Sequence, residues 1–111
     1  MKKSLLALVF LFGAGFAQAE TKESTIGHVK EITTYLETHS RVSARGMIDF
    51  NLDVDFSSPC SRVYLDKDEQ TVVSMLLSAK AKDVKLRVYY YTDVVSPWNK
   101  NTCQIYALRE Y

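Results

Sequence analysis

Four kinds of side chain in this sequence could do chemistry: carboxylates, imidazoles, thiols and aromatic rings. Three carboxylates and one amide lie on alternate residues, in the run Asp49, Asn51, Asp53, Asp55. That spacing resembles a calcium-binding EF-hand loop, but such a loop needs Gly at its sixth position and Glu at its twelfth. Val54 and Cys60 stand there instead. Ile48, Phe50, Leu52, Val54 and Phe56 alternate with the polar residues. The acids are therefore expected on the wet face of a strand, within reach of Lys85 and Arg87 across the sheet or on a neighbouring subunit. No metal site is expected.

His28 and His39 are the only imidazoles, and no G-x-S-x-G or H-E-x-x-H context supplies either with a catalytic role. Cys60 and Cys103 are the only thiols. An even cysteine count in an exported chain reads as a disulfide, and pairing leaves no thiolate nucleophile. Closing the loop from 60 to 103 contributes about 4 kcal/mol in the chain-entropy account. No catalytic residue and no cofactor is expected, so the chain is not read as an enzyme.

The aromatic rings are the remaining signal. Tyr89 and Tyr91 fall on the face opposite Val88 and Tyr90, and Trp98 lies in the polar stretch after them. A flat ring beside hydroxyl, Lys or Arg groups suits a sugar, the ring meeting its C–H face and the polar groups its hydroxyls. The same rings could instead close the end of a small domain or fill an interface, where Tyr and Trp are enriched. Tyr89, Tyr91 and Trp98 are the candidate ligand-binding residues.

These side chains sit in a chain of 111 residues, 47% hydrophobic and 24% charged, which is one domain's worth. Seven Tyr, five Phe and one Trp are too much apolar mass for a disordered chain. A formal charge of +1 argues against nucleic acid as a partner. Met1-Lys2-Lys3, the apolar run Leu5–Phe16 and Ala17-Gln18-Ala19 read as a signal peptide over residues 1–19, cut before Glu20. The run is shorter than the about 20 residues of a membrane span. Residues 20–111 are expected as a single exported domain, periplasmic or secreted, with no membrane insertion after cleavage. Its 13 acidic residues outnumber the basic ones by one once Lys2 and Lys3 are gone.

The elements that must position the rings follow from hydrophobic period. Thr25–Tyr35 mixes β-branched and polar residues with Gly27 inside it, which fits a bulged strand; an amphipathic helix is the rival. Ile48–Phe56 is a long strand by strict alternation, Ser57-Ser58-Pro59 a turn, and Ser61–Leu65 the returning strand. Asp66–Asp83 shifts to helical spacing through Val72, Met75, Leu76 and Ala79, with Val73 and Leu77 widening the stripe and Asp66 and Glu69 at capping-box distance. Val84–Tyr91 returns to alternation, Thr92–Thr102 reads as a loop, and Cys103–Arg109 is a last strand with a bulge suggested by Ile105 and Leu108. The expected fold is mainly β, a small five-stranded OB-fold-like barrel with one α-helix between strands 3 and 4. OB-folds take ligands on strands two and three and on the loops after strands one and four.

Gly27-x-Val29-x-x-Ile32, Cys60 at the entry to strand three, and an acidic turn leading into Met75–Ala81 occur together here. Val84–Tyr90 and Cys103–Tyr106 complete the pattern. Over about residues 25–110 the chain resembles the small exported proteins similar to the subtilase cytotoxin B subunit. The resemblance implies an OB-fold with a disulfide and, in the toxins, a ring of five subunits that binds glycans and carries a catalytic subunit. No binding residue is carried over from it. The leading expectation is a non-catalytic exported binding module for a glycan, as a homo-oligomer (a pentamer on the resemblance alone). The alternative is an envelope structural domain that contacts another envelope protein through its helix or a sheet edge.

Overall fold

The computed structural model describes residues 21–111, so the signal-peptide reading of residues 1–19 lies outside the described part. The chain forms β1 (Lys22–Thr34), a short 3-10 turn (Val42–Ala44), β2 (Met47–Leu52), β3 (Arg62–Asp66), α1 (Gln70–Lys82), β4 (Lys85–Val95) and β5 (Thr102–Glu110). Five strands and one helix between the third and fourth match the expected order. The sheet closes on itself in the order β1-β2-β3-β5-β4, with β4 returning to β1. All neighbours are antiparallel except β3 and β5, which run parallel.

Thr25–Tyr35 is strand and not helix. β1 pairs with β4 over Lys22–His28 and with β2 from Val29 on. A bulge between Val29 and Glu31 lets one strand serve both neighbours. Gly27 sits where β1 passes closest to the end of β2: a Cβ there would stand 2.7 Å from an Asp53 carboxylate oxygen and 3.0 Å from a Val54 methyl.

The core is what alternation requires. Phe50 from β2, Val63 from β3, Leu86, Val88 and Tyr90 from β4 and Cys103 from β5 are all fully buried, with Leu76 and Ala79 of α1 closing one end. Cys60 and Cys103 form the expected disulfide, with Cα atoms 5.6 Å apart.

Three expected boundaries move. The Ile48–Phe56 strand ends at Leu52; the chain leaves the sheet, exposes Val54 and returns Phe56 to the core. Asp53 causes the break, because its side chain takes the place of a ladder partner: Oδ1 accepts the His28 backbone N–H at 2.9 Å. The helix starts at Gln70, not near Asp66. The Asp66 carboxylate accepts the Asp68 N–H in a preceding turn, and the N-cap residue Glu69 makes no side-chain cap, so no capping box forms. Leu77 faces solvent instead of widening the buried stripe. At the other end Asp83 adopts the left-handed conformation and its N–H closes the last turn onto Ala79 and Lys80. Finally β4 runs on to Val95, taking in residues expected to be loop, and leaves a shorter connection around Trp98.

Candidate functional site

The site begins where the sheet is least complete. β3 and β5 pair for three residues only: Arg62 with Thr102, Val63 with Cys103, Tyr64 with Gln104. Beyond Tyr64, β3 runs into the Asp66–Glu69 turn that leads to α1, while β5 stays with β4. The two strands therefore part, and the gap is a groove of about 450 Å³. Leu65, Val72 and Ile105 give it an apolar lining; Tyr64, Tyr91 and Tyr106 bring aromatic rings; Asp66, Glu69 and Gln104 bring polar groups.

Tyr106 reaches the surface through a backbone irregularity. Adjacent β4 residues Tyr89 and Tyr90 pair with Ala107 and Ile105, so Tyr106 is the extra residue of a bulge in β5. Tyr106 is 43% exposed. It lies 4.8 Å from Tyr91, with a 31° tilt, and 6.0 Å from Tyr89. Lys22 Nζ stands 5.7 Å from the Tyr106 ring centroid, and Arg87 is 6.0 Å from that of Tyr89. Ile105 and Leu108 suggested a bulge here, but Tyr106, its product, was not among the expected binding residues.

Trp98 belongs elsewhere. Its ring meets Tyr35 at 5.5 Å and Tyr64 at 5.2 Å, both edge-on, and its carbonyl accepts from Arg41 Nη1 at 3.3 Å. It is half-buried, and the expected trio of Tyr89, Tyr91 and Trp98 does not form one exposed platform. Tyr64 is the link, touching Trp98 and lining the groove.

Around Tyr35 lies a polar knot. Asp49, expected on a solvated face, is 1% exposed. It accepts from the Tyr35 hydroxyl at 2.6 Å and from Arg62 Nε at 2.7 Å, and Arg62 extends to Glu31 and Thr33. Neither Lys85 nor Arg87 is a partner of these acids: Asp53 pairs with His28, at 3.2 Å from Nδ1. Burial, then the Asp49 hydrogen bond and charge, push the Tyr35 phenol above its ordinary pKa; burial alone does so for Tyr64. The His28 backbone N–H holds the exposed Asp53 carboxyl below its ordinary range. Trp98 Nε1 and the Thr102 hydroxyl are buried without hydrogen-bond partners among the described residues.

His28 is engaged with Asp53, and His39 Nδ1 accepts from the Arg41 backbone at 3.0 Å. Among the described residues no three His, Cys, Asp or Glu side chains converge on a metal position. No helix among them is long and apolar enough to cross a membrane. Neither a family model, nor a curated protein, nor a solved structure matches the chain.

Proposed function

We propose that the chain is an exported, non-catalytic binding module that holds a carbohydrate in the groove between β3 and β5. The observation that carries this reading is the groove itself, where Tyr64, Tyr91 and Tyr106 stand beside Asp66, Glu69 and Gln104 over apolar side chains. Sugars present apolar C–H faces and hydroxyl edges, and this pairing of ring and polar group offers both partners. The signal-like sequence over residues 1–19 supports export, and the disulfide is compatible with an oxidising compartment. The likeness to toxin B-subunit proteins supports a glycan as the class of ligand and a homo-oligomer as the working form.

Screening the purified protein on a glycan array, followed by calorimetry on the hits, tests the reading. Tyr106→Ala is expected to weaken a genuine hit at least tenfold and Tyr91→Ala by a similar factor. An array without hits, or hits indifferent to both substitutions, overturns it.

A second reading, docking onto an envelope protein, has one observation in its favour. β1 meets β2 only from Val29 on, so the edge of Lys22–Ile26 that faces away from β4 has no strand partner among the described residues. An unpaired edge can accept a strand from another chain. Native mass spectrometry and a pull-down from envelope extract, compared with a protein carrying Ser24→Pro, would reveal such a partner.

A further inference from the structure

The charges around the groove are uneven. Asp66 and Glu69 line it, and no Lys or Arg among the described residues does. Within the same part of the chain neither acid enters an ion pair. Lys67, between them in sequence, is taken by Glu37. Lys22, 5.7 Å from the Tyr106 centroid, borders an adjoining hollow with Glu23, Ser24 and Tyr89 that shares Tyr106 with the groove but not Asp66 or Glu69. The start of α1 supplies a partial positive charge of about one half, against two full negative charges. The balance at the groove is therefore negative.

Aromatic rings add to this preference. The face of a tyrosine ring attracts a cation within about 6 Å. The same row of rings already does so for the chain's own side chains, Lys22 over Tyr106 and Arg87 over Tyr89. On the groove side the described residues supply no such cation.

We infer that the groove selects a positively charged sugar, a hexosamine bearing a free ammonium group, over neutral and acidic sugars. This rests on the carbohydrate reading of the same groove and sharpens it. The ammonium sits between the Asp66 and Glu69 carboxylates and the tyrosine rings, while the pyranose ring lies on the apolar lining. An acidic sugar meets like charge there, and an N-acetylated one offers no charge for the acids to attract.

Calorimetric titration of the purified protein with three oligosaccharides of equal length provides the test: a glucosamine oligomer, its N-acetylated counterpart and an oligogalacturonate. The free amine is expected to bind at least tenfold tighter than the acetylated oligomer, with no measurable binding of the acid. Asp66→Asn with Glu69→Gln should bring the amine down to the level of the acetylated sugar. Both changes keep the side-chain shape. The amide oxygen introduced by Asp66→Asn can still accept the Asp68 N–H, and Glu69 caps nothing, so circular dichroism should be unchanged. Equal or tighter binding of the acetylated or acidic oligomer overturns the charge preference and leaves the carbohydrate reading standing. Absence of binding by all three, with the protein folded, overturns the charge preference, while the carbohydrate reading falls only with the glycan array.

Discussion

Two clusters of aromatic rings lie along the strands of one closed sheet, and they have opposite fates. At the first, Trp98 covers Tyr35 and Tyr64, above a buried Asp49–Arg62 pair. At the second, Tyr91 and Tyr106 stack beside a groove that no described residue fills. Residue type does not separate them, since both are built from Tyr. Strand pairing does. β3 and β5 are held together at the Arg62–Tyr64 end, where the connection carrying Trp98 folds over them, and part at the other end, where the groove opens. Between these two clusters, the rings are left uncovered where the sheet is left unfinished.

The disulfide is the strongest fastening at the closed end, since Cys103 pairs directly with Val63 in the short β3–β5 ladder. Replacing both cysteines with serine is expected to cost about 4 kcal/mol in a urea titration, the loop-closure value for a ring of this size. A loss under about 1 kcal/mol would mean that the covered cluster holds the strands together unaided.

Next in size is the buried pair beneath Trp98. Asp49→Ala leaves Arg62 without its closest carboxylate and the Tyr35 hydroxyl without an acceptor. Removing one member of a buried ion pair costs about 3–5 kcal/mol, and Arg62 keeps Glu31, so the lower end is expected. Asp55→Ala, at an exposed position of the same acidic run, should change stability by no more than about 0.5 kcal/mol. Equal effects of the two would return Asp49 to the solvated face that alternation alone implies.

That contrast also shows what the sequence could reveal. Period two placed Leu86, Val88 and Tyr90 inside and Tyr89 and Tyr91 outside, because one face of β4 meets the core and the other does not. The helix, its position between strands 3 and 4, and the disulfide were legible for similarly local reasons. Asp49 was not. It does point away from the core, but Tyr35 and Arg62 come from other segments to engage it, and alternation cannot report what covers an outer face. The groove was half legible: Tyr91 is in it, and the bulge was suggested by Ile105 and Leu108. Its acidic side depends on where β3 leaves β5, which no local spacing encodes.

A paired substitution separates the roles of the rings. Trp98→Ala removes a half-buried indole that packs on two tyrosines and should cost about 2 kcal/mol, less than the about 3–5 kcal/mol of a fully buried ring. Tyr106→Ala removes a ring on a residue 43% exposed and should cost less, about 1 kcal/mol. Ligand affinity should rank the other way, with Tyr106→Ala the more damaging and Trp98→Ala acting only through loosened Tyr64. Chemical denaturation and calorimetry on the same two proteins check both orders, and a shared order would erase the distinction between the clusters.

The smallest expected effect is a slope with pH. Tyr35 and Tyr64, the two phenols against Trp98, have pKa values raised above 10.0 in the folded protein, chiefly by burial. Raising the pKa of an acid means that the folded state resists losing the proton. Below pH 10 both states keep it and the shift has no effect on stability. Above pH 10 the unfolded chain releases its protons first, which favours unfolding, so stability should fall as pH rises through that value. Urea midpoints measured from about pH 8 to about pH 11 should therefore decline for the native sequence. They should decline less for Tyr35→Phe with Tyr64→Phe, although that protein starts lower at neutral pH for want of the Tyr35–Asp49 hydrogen bond, worth about 1 kcal/mol. Identical alkaline slopes would show that water reaches both phenols, and that Trp98 covers them less completely than the packing implies.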